Sequence, residues 1–217
     1  MAYPKREMLV EYLFYGRRWL IAFCLGLVSI LASCGGAAPI EGIKVTPPIS
    51  LLDLLPQARV AAIVPGKLEA GVEIREVSVE GKSERVFFFQ AGTELIFPLR
   101  IEQAAVLETA VALLSDAWEK GGDGVTFYVA VRREGEIVPA YLFSQHVHPR
   151  IVPEQRGWQP VRLDLTSLRD TDIELILGTH PGPNIDPTYD WAVWKDPRLY
   201  NPATDPNELS HPLPSSN

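Results

Sequence analysis

Short apolar segments that repeat with a period of two, set off by turn residues, constrain this chain more than any other feature. The clearest is Val125–Arg132, where Val125, Phe127, Val129 and Val131 alternate with Thr126, Tyr128 and Ala130. Side chains on a strand point to opposite faces in turn, so such a segment buries one face and shows the other. Asp123-Gly124 opens it, and Glu134-Gly135-Glu136 turns it into Ile137–Gln145 as a hairpin. Val72–Glu80 alternates in the same way and ends at Gly81-Lys82, while Arg85–Phe89, Leu95–Ile101, Trp158–Leu165 and Asp172–Thr179 read as further strands. Pro98 has no amide hydrogen to give a neighbour and predicts an edge or a bulge for its strand. Val106–Leu114 is apolar but for Glu108 and Thr109; its alanines favour helix, its place in a strand series favours strand, and we read it as strand. About eight short strands, without long helical periodicity or crossover helices, predict an all-β fold, an antiparallel jelly-roll β-sandwich.

Composition bounds the partners. The chain has 217 residues, 47% of them hydrophobic, enough for a core of one domain or at most two, which excludes a disordered, collagenous or polytopic membrane protein. Lys and Arg number 20 against 27 Asp and Glu, a formal charge of −7 with the signs well mixed. Binding nucleic acid needs clustered cations to neutralise phosphates, so no nucleic-acid partner is expected. Cys24 and Cys34 make neither a disulfide framework nor a zinc-binding spacing, and no cofactor is expected.

The amino terminus reads as an address. Arg17 and Arg18 precede the apolar run Trp19–Ala32, and Ser33, Cys34, Gly35 and Gly36 follow, which gives the basic, apolar and small-residue regions of a secretory signal starting from Met1 or Met8. The run spans 14 residues, short of the roughly 20 that cross a bilayer as a helix. Leu31-Ala32-Ser33-Cys34 resembles the lipobox of bacterial lipoproteins. The resemblance implies cleavage between Ser33 and Cys34 and acylation of Cys34, the alternative being a plain signal with an incidental cysteine. Two or three acyl chains, at about 0.8 kcal/mol per buried CH₂, hold a protein on a membrane that a single chain holds only marginally. Gly35 gives no inner-membrane retention signal, so an extracytoplasmic, lipid-anchored protein is expected with the leaflet open. The division that follows is a signal peptide at 1–33, a Pro- and Gly-rich spacer at 34–57 with a short helix within Ile49–Leu55, a β-sandwich at 58–200, and a Pro-rich disordered tail at 201–217.

Four pieces of the sandwich, in order, are Gly121-Gly122-Asp123-Gly124-Val125-Thr126-Phe127, Trp158–Leu165, Thr171–Leu175, and Tyr189-Asp190-Trp191-Ala192-Val193-Trp194 with Pro197-Arg198-Leu199. Together they resemble the galactose-binding-like jelly rolls of the carbohydrate-binding type found attached to glycosidases and cell-envelope proteins. The resemblance implies a non-catalytic module that recognises glycan. Ligand-binding candidates are Trp158, Trp191 and Trp194, which either stack on sugar faces or pack, and Asp123 and Asp190, which either bind a hydroxyl or a cation or cap turns. His146 and His148 alternate onto one face, as a two-nitrogen metal site or a surface pair, and His180–Pro187 reads as a rigid loop or binding rim. The sequence has no nucleophile elbow, phosphate loop, dinucleotide fingerprint or zinc-protease motif, and no enzyme is expected. The second reading is an accessory or assembly subunit of a membrane protein complex, the sandwich serving as a protein-interaction scaffold. A sugar face sets exposed rings beside polar groups, whereas a docking face exposes a broader apolar patch.

Overall fold

The computed structural model describes residues 39–63, 69–79 and 81–204. The signal-peptide and lipidation readings at Ser33 and Cys34, and residues 205–217 of the tail, lie outside the described residues. Twelve strands are described: β1 (Ile43–Val45), β2 (Ile49–Ser50), β3 (Arg59–Ala62), β4 (Val72–Val79), β5 (Lys82–Phe89), β6 (Thr93–Ile101), β7 (Val106–Leu113), β8 (Val125–Arg133), β9 (Ala140–Val147), β10 (Gln159–Asp164), β11 (Asp172–Pro181) and β12 (Ala192–Tyr200). They form two sheets, ordered β1-β6-β11-β8-β9 and β10-β7-β12-β5-β4, with β3 also on β6 and β2 also on β12. Every pairing is antiparallel except β1 with β6. This is an all-β, jelly-roll type of β-sandwich.

The alternation dictates which face is inside. Val125, Phe127, Val129 and Val131 of β8 are buried in the core with Leu95, Phe97 and Leu99 of β6 and Leu175 and Leu177 of β11. Across from them lie Phe87 and Phe89 of β5, Leu107 and Val111 of β7 and Trp194 of β12. Each such side chain removed from water contributes roughly 1.5–3 kcal/mol. The outer faces carry smaller clusters of their own, Ile96, Tyr128, Ala130 and Ile176 on the first sheet and Val86, Ala112 and Val193 on the second. Val106–Leu113 is therefore a strand, with Leu107, Val111 and Leu113 in the core and Ala112 in the outer cluster. Tyr128 donates to Glu94 Oε1 at 2.8 Å, and its ring lies against Gly178, where a Cβ would sit 2.1 Å from the ring.

Three expectations are corrected. The strands of the sandwich begin before residue 58, with β1 at Ile43. The supposed spacer is woven into both sheets through β1 and β2, and its 3-10 turn, Leu51–Gln57, drives Leu51, Leu52 and Leu54 into the core. Ser50 starts that turn, accepting from the Leu52 N–H at 3.3 Å and donating to Asp196 Oδ1 at 2.8 Å. Second, β6 is not an edge: β3 pairs with residues 93–96 and β1 with residues 99–101, and Pro98 falls in the gap between them. Third, the strand count exceeds about eight because β1–β3, of two to four residues, are too short to show a period, and because Lys195-Asp196-Pro197-Arg198 interrupts the alternation of the nine-residue β12.

Candidate functional site

Three connections meet at one end of the sandwich: the glycine-rich entry to β8, the turn after β9, and the long loop into β12. Gly121, Gly122 and Gly124 from the first, His148, Pro149 and Arg150 from the second, and Tyr189 and Asp190 from the third line one small crevice. The loop is fixed by polar contacts. The Asn184 N–H donates to Asp123 Oδ2 at 2.6 Å, the Thr188 N–H to Asp186 Oδ1 at 3.0 Å, and the Asp190 N–H to the Pro187 carbonyl at 3.3 Å. Gly182 has φ +39°, and a Cβ there would meet Asp123 Oδ1 at 2.1 Å, so only glycine lets the carboxylate press against the loop. Ile185 and Tyr189 also take left-handed conformations, φ +56° and +63°. Non-glycine residues held this way cost of order 1–3 kcal/mol each and concentrate at functional sites.

That conformation at Tyr189 sets its ring edge-on to Trp191, centroids 6.2 Å apart. Lys120 Nζ lies 4.6 Å from the Trp191 ring centre and 5.3 Å from that of Tyr189, within cation–π range of both. Trp191 also lines a cleft of about 420 Å³ with Phe88, Gln90, Glu69, Pro187 and Asp190. The Arg75 guanidinium covers the Phe88 ring at 3.8 Å. Aromatic surface, an amide and two carboxyl groups thus converge on one opening.

Asp190 is 4% exposed, and its Oδ2, like Asp123 Oδ1, is buried without a hydrogen-bond partner. Burial first, then the charges of Asp123 and Asp186, push the Asp190 carboxyl up to about 8. It therefore holds its proton at neutral pH and can donate as well as accept. His146 and His148 stand with rings 6.0 Å apart, His146 Nδ1 lying 3.1 Å from Thr126 Oγ1. Burial and the neighbouring His146 hold His148 below its ordinary value. Among the described residues, no three His, Cys, Asp or Glu side chains gather as a metal site.

Of the residues singled out in the sequence, Asp123, Asp190 and Trp191 come together here. Trp194 does not: it is wholly buried, its ring 5.6 Å from Phe127 and 6.3 Å from Phe89, and it packs rather than faces a ligand. Trp158 lies on the outer face of the second sheet against Val86, Ala112 and Val193, with Lys195 Nζ 5.6 Å from its ring centre, and does not line the cleft. Asp123 caps no turn of its own but ties down a loop 61 residues away. The sequence reading missed Lys120, Tyr189, Gln90 and Phe88. The i, i+2 spacing of Tyr189 and Trp191 was the one legible sign of an aromatic pair.

No family model matches the chain. An uncharacterized protein of Archaeoglobus fulgidus is 40% identical over 100 residues, 46% of this chain, and the chain spans a quarter (25%) of that relative's length. Similar solved structures include a CBM51 from Clostridium perfringens GH95 in complex with methyl-galactose, 14% identical over 70% of this chain and 98% of that one, TM-score 0.43. CBM51-2 and INT domains of Clostridium perfringens ZmpB are 16% identical over 66% of this chain and 29% of that one, TM-score 0.44. A family 11 carbohydrate-binding module from Clostridium thermocellum, in complex with a beta-1,3-1,4-mixed-linked tetrasaccharide, is 9% identical over 67% and 89%, TM-score 0.37.

Proposed function

We propose that this protein is a lipid-anchored, extracytoplasmic module that binds glycan without acting on it. The observation that carries the reading is the cleft, where the half-buried Trp191 ring and Phe88 stand beside Gln90, Glu69 and the protonated Asp190. A pyranose offers a C–H face to an aromatic ring and hydroxyls to flanking amide and carboxyl groups, and this opening supplies both kinds of partner. Lys120, stacked over Trp191 and Tyr189, holds the two rings in place.

The test is retention on envelope polysaccharide and on a glycan array, wild type against Trp191→Ala. The reading expects wild-type binding that falls about tenfold or more in the variant, a loss of about 1.4 kcal/mol or more. Wild type at background, or a variant that binds equally well, overturns it. The anchor is tested apart from the glycan. Intact mass of the membrane-extracted protein is expected at residues 34–217 plus acyl groups, a form lost in Cys34→Ala; retention of residues 1–33 excludes lipoprotein processing.

A further inference from the structure

Asp172, at the start of β11, joins two parts of the chain at one end of the sandwich. Its carboxylate accepts the Gly42 N–H at 3.3 Å, just before β1, and its carbonyl accepts the Glu134 N–H at 3.4 Å, where the β8–β9 hairpin turns. A little further along that turn stand Ile137 and Val138, 79% and 74% exposed, adjacent in sequence and the two most exposed large apolar side chains among the described residues. A turn needs glycine and polar residues, so folding of the single chain gives no reason for an aliphatic pair at the tip. Pro139 follows it and takes away one backbone donor. Glu136, just before the pair, is folded back, accepting the Arg133 N–H at 3.0 Å and the Arg133 guanidinium at 3.5 Å. Tyr141 is exposed too, three residues behind Val138, a distance of at most about 10 Å. The glycan cleft lies at the opposite end of the sandwich, beyond the nine residues of β8, which extend about 26 Å. Ile151 and Val152, the other exposed aliphatic pair, belong to that far end, beside His148 and Arg150.

We propose that the tip of the β8–β9 hairpin inserts Ile137 and Val138 into the surface of the lipid bilayer, with Tyr141 at headgroup level and the glycan cleft turned away from the membrane. With Cys34 acylated, as proposed above, Gly42 follows the lipid by eight residues, a length of chain that spans at most about 29 Å. Asp172 sets the hairpin at that same point, so the tether keeps the tip within reach of the bilayer. The tip has the composition that such a surface takes up: aliphatic side chains for the acyl boundary and, behind them, a tyrosine whose ring and hydroxyl suit the interface. Glu134, exposed at the base of the turn, stays on the water side. Two aliphatic side chains on a turn fall far short of the roughly 800 Å² that each partner buries in a stable protein interface. A bilayer, being fluid, needs no surface of matching shape.

The test uses the full chain, expressed, extracted from the membrane and reconstituted into phosphatidylcholine vesicles. Processing removes Cys24 and acylation blocks Cys34, so Val138→Cys offers a single thiol for the environment-sensitive fluorophore NBD. Its emission is expected to shift to the blue on reconstitution and to be quenched by lipids that carry a nitroxide on the acyl chain. The same label at Glu154→Cys, on the exposed turn at the cleft end, is expected to keep a water-like emission and to escape quenching. Adding Ile137→Glu should return position 138 to a water-like emission without lowering the melting temperature, because Ile137 belongs to none of the core clusters. A water-like label at position 138 that no lipid quenches, or equal quenching at position 154, overturns the insertion and leaves the anchor and the cleft standing. A parent protein that takes up the label at Cys24 or Cys34 overturns the anchor, and the insertion with it. Glycan retention is read separately and changes with neither result.

Discussion

The loop from Gly182 to Trp191 and the strand it feeds, β12, are consecutive in sequence and held by opposite physics. β12 lies between β7 and β5, its Ala192 and Trp194 inward and Val193 in the outer cluster, so burial of apolar surface fixes it. The loop is fixed by a few directional contacts, with Asp123 on Asn184 and Asp186 on Thr188, and by three residues in left-handed conformations. Trp191 and Trp194 are three residues apart, yet one borders the cleft and the other fills the core. The difference teaches that this end of the molecule divides its labour: the sheet supplies rigidity, and the loop spends some of that stability on a shaped, partly desolvated opening.

The largest expected effect lies on the strand side. Trp194→Ala removes the side chain that joins Phe89 to Phe127 and should cost roughly 3–5 kcal/mol, read as a fall in the urea midpoint. Its folded fraction should still bind glycan. A variant that melts like wild type would break the comparison at its core.

Asp190 sits at the boundary and links loop to pH. Its folded pKa, about 8, lies above the ordinary value of 3.8, so between those values the folded protein holds more protons than the unfolded chain. The contribution of this group is therefore fully present below about pH 4 and is lost as pH rises to about 8, with a slope of at most about 1.4 kcal/mol per pH unit. Asp190→Asn cannot ionise and should flatten that part of the stability profile. Parallel wild-type and variant profiles would show that the carboxyl ionises freely and that the cleft floor is wet.

Much of the fold was legible because burial imposes a period. β4, β7 and β8 declare themselves by alternation or by a high apolar content, and Gly81 and Gly135 mark turns that need positive φ. What stayed hidden is non-local. Pro98 reads as an edge residue until β1 and β3 are seen to flank it, and 34–57 reads as a spacer because its strands borrow their partners from β6 and β12. The site was half legible. Asp123, Asp190 and Trp191 were named, but the tie from Asp123 to Asn184 crosses 61 residues, and no local spacing encodes it. Parity would have separated the tryptophans, since Trp194 shares a face with the buried Ala192 and Trp191 does not.

The tie itself gives a mid-sized prediction. Asp123→Ala removes the acceptor of the Asn184 N–H and one of two interacting carboxylates. The lost hydrogen bond should cost about 1–2 kcal/mol, and the missing charge should lower the apparent pKa of Asp190, so the pH-dependent fall in stability becomes shallower. Proteolytic nicking within 182–190 should quicken, which limited proteolysis with mass readout would detect. Unchanged nicking would mean that the left-handed residues, not the carboxylate, hold the loop.

The smallest effect on stability is expected at Trp191, and that smallness is what makes it informative. The ring is half-buried and rests on Tyr189 and Lys120 rather than on the core, so Trp191→Ala should lower the unfolding free energy, read by urea titration, by under about 1 kcal/mol, as exposed-side substitutions do. Set against the roughly 3–5 kcal/mol at Trp194, the pair reads the two sides of the comparison on one scale. If glycan retention collapses while stability barely moves, the ring is held for binding. If stability falls as far as in Trp194→Ala, the loop is an extension of the core, and the division between sheet and loop does not hold.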